Sequence, residues 1–377
     1  MMFLALLIVT KFVVATNLSS SGTNRRNLIF NIDQLFVETS DAIRFGSNKQ
    51  RLYPQFSLTT SEISVRATLD DEDAFGHCRK YCSSPEFCRL YCPMACCFPK
   101  ASIKKYDTKS EMAYDKNSTL LKVSNRFWIS PTLQSYGVYA EDEVFVQLEN
   151  QEAFSIGRTD IALVLIQLIF NYFFDSGVDK IGLARSPDSK NLVERLYDQG
   201  RVSSAVVTIV HAPHYKLAIG DYHNEHCRSP WNKVESLGDR EWMLGLSGYR
   251  LLTHESDERS RAILVGDDIV GMPRFLLNAF INENVLAPRE MHDNKNFYVF
   301  NRTKFKSQYY FTTDNGFRLD LRDFFDAGDS DLVSVAINAV DINPDNVHWL
   351  LSHVLYYCYC VRLDYHQNTI EFARHVV

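Results

Sequence analysis

Residues 348–373 constrain the fold of this 377-residue chain more than any other stretch. They read His-Trp-Leu-Leu-Ser-His-Val-Leu-Tyr-Tyr-Cys-Tyr-Cys-Val-Arg-Leu-Asp-Tyr-His-Gln-Asn-Thr-Ile-Glu-Phe-Ala. The spacing predicts a strand, a turn at His366-Gln367-Asn368, and a second strand closing on Phe372-Ala373. The bias runs through the whole chain. Phe and Tyr are abundant and β-branched residues recur in short runs, which favours strands over helices.

At 46% hydrophobic residues the chain has ample material for a core. The net charge is -6 and no basic run occurs, so nothing points to a nucleic-acid partner. Residues 1–15 are short, apolar and end on Ala15, which suits a secretory signal, although Lys11 interrupts the apolar run. Sequons at Asn17, Asn117 and Asn301 agree with a secreted glycoprotein, the lumen of a lysosome or another endomembrane compartment being the alternative. The apolar run 161–174 is too short to span a bilayer and contains Gln167 and Asn171, so it is expected to be a buried core segment.

Nine cysteines in a secreted chain imply disulfides. Cys78, Cys82, Cys88, Cys92, Cys96 and Cys97 form an even cluster that can pair within itself; Cys227, Cys358 and Cys360 remain. A zinc site in the cluster is disfavoured, because an oxidising compartment favours bridges and only His77 sits at ligand spacing. No cofactor or metal is expected.

Residues 16–51 are polar and read as an N-terminal extension or pro-segment remnant. From Leu52 onward Phe56, Leu58, Ile63, Val65, Ala67 and Leu69 recur mostly at even spacing, a strand pattern. A Cys-rich loop at 78–97 and further strands follow. A helix is predicted at 191–199, where Leu192, Val193 and Leu196 form an apolar stripe and Gly200 stands at the C-terminal cap. A hairpin is predicted over 205–219 and a second helix at 273–281, opened by Pro273. The predicted class is all-β with few short helices.

Six segments, in order, carry a resemblance to pepsin-like aspartic proteases. Tyr106-Asp107-Thr108-Lys109-Ser110 resembles the segment ahead of the flap hairpin, and residues 136–144 the strand after it. Phe174-Asp175-Ser176-Gly177-Val178-Asp179-Lys180-Ile181-Gly182-Leu183-Ala184 is similar to the Asp-Gly-hydrophobic-hydrophobic-Gly-Leu crossing, somewhat expanded. Residues 217–222 with Cys227 resemble the opening of the C-terminal lobe. Residues 261–264 with Gly271-Met272-Pro273 resemble its catalytic segment, and residues 349–373 its signature end. The resemblance implies a bilobal fold, with residues 52–200 as N-lobe and 201–377 as C-lobe.

It also implies two aspartates facing each other and sharing one proton, one acting as base and the other as acid. Asp70 is aligned with the first, but Asp71 and Glu72 replace the Thr and Gly that would follow, and residues 70–73 read as a solvated acidic turn rather than a working base. Val265 falls on the second aspartate; a shift of two residues would bring Asp267 there without restoring the motif. Valine holds no proton, and losing one acid–base partner costs about two to four orders of magnitude in rate. Ser352 stands where the second crossing should end in Gly. The flap tyrosine position falls on Ser130 by ungapped counting, with Phe127 and Trp128 reachable through a gap. The cysteine pair implied for the C-lobe is missing near Phe300 and within 332–337.

His211/His214 and His223/His226 are each His-x-x-His pairs. The intervening strand is expected to hold them more than ~20 Å apart, as exposed loop histidines. Cys358 and Cys360 are predicted to share one face of a strand. The function expected is that of a secreted protease homologue without peptidase activity, binding peptide or protein in the interlobe cleft. The alternatives are an acid endopeptidase with an Asp70/Asp267 dyad, and a structural or adhesive protein acting through its Cys-rich loop.

Overall fold

The computed structural model describes residues 27–33, 36–37, 42–67, 103–104, 114, 118–130, 135–148, 152–168, 179–211, 215–251, 254–257, 259–266, 269–289, 296–304, 309–325, 332–341 and 347–376. Among these the fold is mostly β, with three short helices and three sheets, one curled into a half-barrel. Asp70, Asp267, Asn17, Asn117 and the six cysteines of the Cys-rich loop lie outside the described residues.

The even-spaced positions near the start turn inward as the alternation predicts. Phe56, Leu58, Ile63, Val65 and Ala67 are all buried. The apolar run beginning at Ile161 continues a long strand, Phe154–Leu168, which pairs antiparallel with Ser135–Gln147. Ile161–Val164 are fully enclosed, so this is core, as its composition required.

Helix α1 spans Leu192–Asp198. Asn191 caps it by accepting from the Glu194 N–H while Glu194 accepts from the Asn191 N–H, which satisfies two amides that the first turn leaves free. Helix α2, Arg274–Asn282, starts directly after Pro273 and buries Leu276, Leu277 and Phe280. Helix α3 is the single turn Leu355–Cys358. It separates Cys358 from the strand Tyr359–Asp364, so Cys358 and Cys360 do not share a strand face as expected. The chain must turn sharply after the buried Ser352-His353 pair, and one helical turn makes that corner.

One six-stranded sheet draws on both ends of the chain. Its order is Cys227–Glu235, Thr369–His375, Tyr359–Asp364, Val206–His211, Tyr215–Ile219, Leu28–Asp33. Two hairpins lie side by side in it, the predicted one at 206–219 and the C-terminal one. In the C-terminal hairpin Asp364 Oδ1 accepts from the His366 and Gln367 amides, and Asn368 takes the left-handed conformation that a tight turn needs. Leu28, Phe30 and Ile32 are buried, and Ile43 and Phe45 lie in the same core. The described part of residues 16–51 is therefore built into the sheets.

Cys227 and Cys360 form a disulfide that closes a separation of 133 residues. Cys358 is free.

Candidate functional site

Two strand crossings of the same design occupy the two halves. In the first, Lys180–Gly182 runs between Gln55–Ser57 and Ile63–Arg66, parallel to the former and antiparallel to the latter. In the second, Val347–Leu351 runs between Ser260–Leu264 and Ile269–Pro273, again parallel to the earlier strand and antiparallel to the later. Each crossing threads a strand through the mouth of a wide loop. The described parts of those loops are residues 58–62 and 265–266.

Register makes the two halves comparable residue by residue. Ile181 lies opposite Phe56 and Gly182 opposite Ser57; Leu350 lies opposite Ile263 and Leu351 opposite Leu264. The Leu183 amide donates to Ser57 O at 2.7 Å, and the Val265 amide donates to Leu351 O at 3.0 Å. Gly182 ends its strand and Ser352 directly follows Leu351, the last residue of its own; with Gly182 aligned to Ser352, as the resemblance implies, Ser57 stands where Val265 does. Asp70 instead follows the second strand of the first crossing, Ile63–Arg66. Alignment by the Leu-Asp-Asp run could not see this, because loop equivalence is set by which strands flank the crossing.

Hydroxyls dominate the first loop, with Glu62 at its far end. Ser57 is buried, its Oγ lies 3.2 Å from Thr59 Oγ1, and Thr60 Oγ1 is enclosed without a hydrogen-bond partner among the described residues. The loop backbone is held against the crossing strand: the Gly182 amide donates to Glu62 O and the Ala184 amide to Thr60 O, both at 2.9 Å. A Cβ at Gly182 would stand 2.3 Å from the Ser61 carbonyl carbon, which is why this position carries no side chain. Asp179, at the start of the same crossing, accepts from the Arg66 amide at 2.6 Å and pairs with its guanidinium at 2.6 Å.

The residues after the first crossing reach into the second half. Trp242 Nε1 and Tyr365 OH both donate to Leu183 O, at 2.8 and 2.6 Å. The Arg185 guanidinium lies 5.0 Å over the Trp242 ring and donates to Asn368 Oδ1 and Ser236 Oγ; its burial lowers its pKa. This clasp joins the aromatic C-terminal segment to the first crossing.

Ser130, the position that ungapped counting gives for a flap tyrosine, directly follows its strand, Lys122–Ile129, beside Ser135. Ser130 and Ser135 close their hairpin on each other: the Ser130 amide donates to Ser135 O at 2.9 Å and the Ser135 amide to Ser130 Oγ at 3.0 Å. Trp128 is buried and Phe127 is half exposed.

A polar cleft of about 340 Å³ opens beside the first crossing loop. Ser61 and Glu62 form one wall, Arg126, Tyr139 and Asp160 another, and residues 186–195 with Arg240 the rest. Arg126 lies 4.6 Å over the Tyr139 ring and 3.9 Å from Asp160. Burial, then the Glu62 charge, raises the Tyr139 pKa. The hydroxyl therefore stays protonated and can donate to a ligand across the neutral range.

The histidines differ from expectation. His211 and His226 both come close to His375, with ring centres 6.1 and 6.0 Å away. The chain leaves His211 along Tyr215–Ile219 but returns over residues 220–226, and the last strand lies between. Extended-strand arithmetic counted only the outward leg. No group of three or more His, Cys, Asp or Glu suited to holding a metal occurs among the described residues, and none of their helices is long and apolar enough to cross a membrane. Compared with protein-family models and with curated proteins, the chain matches none.

Proposed function

We propose that this protein is a secreted, bilobal, pepsin-like protein without peptidase chemistry, which uses a cleft beside its first crossing loop to bind a polar peptide segment. One observation carries the proposal. The two equivalent loop positions, Ser57 and Val265, hold a hydroxyl and a hydrocarbon. A shared-proton dyad needs two carboxylates within reach of one water, and neither side chain can supply one.

The pepsin-like reading is supported by the repeated crossing and by a second detail. Phe300 lies directly opposite Val333, so the two places where the family resemblance implies a cysteine pair are cross-strand neighbours here, filled by packed hydrocarbon. Secretion is supported by the Cys227–Cys360 bridge and by the Asn301 turn, where Thr303 Oγ1 donates to Asn301 Oδ1 at 2.7 Å.

The cleft's charged pairs at 3.8–3.9 Å, Arg240–Asp188 and Arg126–Asp160, are loose and exposed, so a ligand can replace them at little loss. The test is incubation of the purified full chain with an acid-denatured protein substrate from about pH 3 to pH 7. No pepstatin-sensitive cleavage is expected. Cleavage that Asp70→Asn or Asp267→Asn abolishes would overturn the proposal and establish the dyad.

A further inference from the structure

Three imidazoles from distant parts of the chain meet at one end of the six-stranded sheet. His211 ends the strand Val206–His211, His226 immediately precedes Cys227–Glu235, and His375 ends Thr369–His375. The His375 ring stands 6.0 Å from His226, nearly parallel to it at 28°, and 6.1 Å from His211. Tyr215 and Tyr357 flank His211, each at 4.6 Å. Both ring nitrogens of His375 are enclosed and have no hydrogen-bond partner among the described residues. The last strand is held here by a ladder step between His375 and Cys227 and by the Val376 amide donating to His226 O at 2.8 Å.

Among the described residues no carboxylate is paired with His375. Glu225 Oε1 is 3.9 Å from His226 Nε2, on an almost fully exposed side chain. The adjacent Arg374 turns away to Asp323 at 2.6 Å, and Arg228 stands opposite Arg374 in the ladder. Cys358, on helix α3, has its thiol proton held by burial and stays neutral. The two other histidines are thus the titrating groups that bear on His375, and both repel it when charged.

We propose that His211, His226 and His375 form an acid-sensitive clasp, which holds the last strand on the sheet at neutral pH and releases it on acidification, while the Cys227–Cys360 bridge keeps the neighbouring strands joined. The proton linkage has one sign. Burial first, then His211 and His226, lowers the His375 pKa from its ordinary 6.5. A released strand takes up more protons than a docked one in that window. The clasp is complete above the ordinary value and weakens as pH falls below it. The ordinary carboxylate range lies below this window, so the effect separates from general acid unfolding.

Amide hydrogen exchange of the full chain, corrected for intrinsic exchange at each pH, tests this. Protection of residues 369–375 should fall several-fold between about pH 7.5 and pH 5.5, towards the ceiling of about tenfold that one imidazole sets, while residues 206–210 keep theirs. His375→Gln should abolish the fall. His226→Gln, at a more exposed site, should at least halve its logarithm and serves if the first variant does not fold. Unchanged protection in the natural sequence would overturn the proposal. So would a full fall in either folded variant. Release at neutral pH by a chelator alone would overturn it too, by showing that the imidazoles hold a metal.

Discussion

Gly182→Ala puts the crossing itself on trial. The added methyl would stand 2.3 Å from Ser61 C, 2.4 Å from Thr60 O and 2.6 Å from Glu62 N. All three are backbone atoms, so no side chain can rotate away; the loop must retreat by about 1 Å to reach ordinary contact. That retreat stretches the two bonds at 2.9 Å that pin the loop, Gly182 N–H to Glu62 O and Ala184 N–H to Thr60 O. Overpacking of this kind costs about 1–3 kcal/mol. Each lost hydrogen bond adds about 0.5–1.5 kcal/mol. The sum is about 4 kcal/mol, a large part of the stability of an ordinary domain. The assay is urea unfolding followed by tryptophan fluorescence, which reports on Trp242, bonded to Leu183 in the same crossing. The midpoint should drop sharply with the slope unchanged. Ser352→Gly is the control: the second crossing already carries a side chain there, and its loss should cost about 1 kcal/mol or less. A Gly182→Ala variant within about 0.5 kcal/mol of the natural protein would refute the packing of residues 60–62 on the crossing strand, and with it the equivalence of Ser57 and Val265.

Two further outcomes follow from the cysteines. Replacing Cys227 and Cys360 together by serine removes a cross-link over 133 residues, and should lower stability by about 2–5 kcal/mol in equilibrium unfolding. A loss under about 1 kcal/mol would mean that the sheet alone fixes the released ends. Cys358 is half-buried, and burial with the nearby Asp323 carboxylate pushes its thiol up to about 12. Iodoacetamide at about pH 8 should therefore label it slowly in the native protein and rapidly once denaturant is added; equal rates in both states would contradict its placement.

Local pattern made much of the fold legible. The Leu192, Val193, Leu196 stripe closed by Gly200 announced α1, and Pro273 announced α2. The alternation from Phe56 to Ala67 gave the buried face of its strands. The hairpins at 206–219 and 359–375 were visible because their strands and turn are consecutive in the chain. α3 was not, since Leu355-Tyr356-Tyr357-Cys358 has the composition of a strand, and only the corner after Ser352 makes it a turn of helix.

The candidate site was legible only in part. Val265 and Ser352 could be placed from their neighbours in sequence. The first loop, Ser57-Leu58-Thr59-Thr60-Ser61-Glu62, could not, because its equivalence to the second depends on which strands flank the crossing.

Sequence by itself determined the β character, two of the three described helices and the strand faces. These follow from side-chain periodicity and chain-local turn chemistry, which act within a dozen residues. Tertiary structure alone decided three things: that Ser57 is the partner of Val265, that Cys227 reaches Cys360, and that His211, His226 and His375 meet. Each depends on which strands lie side by side after the chain has crossed and returned, and no local period records that.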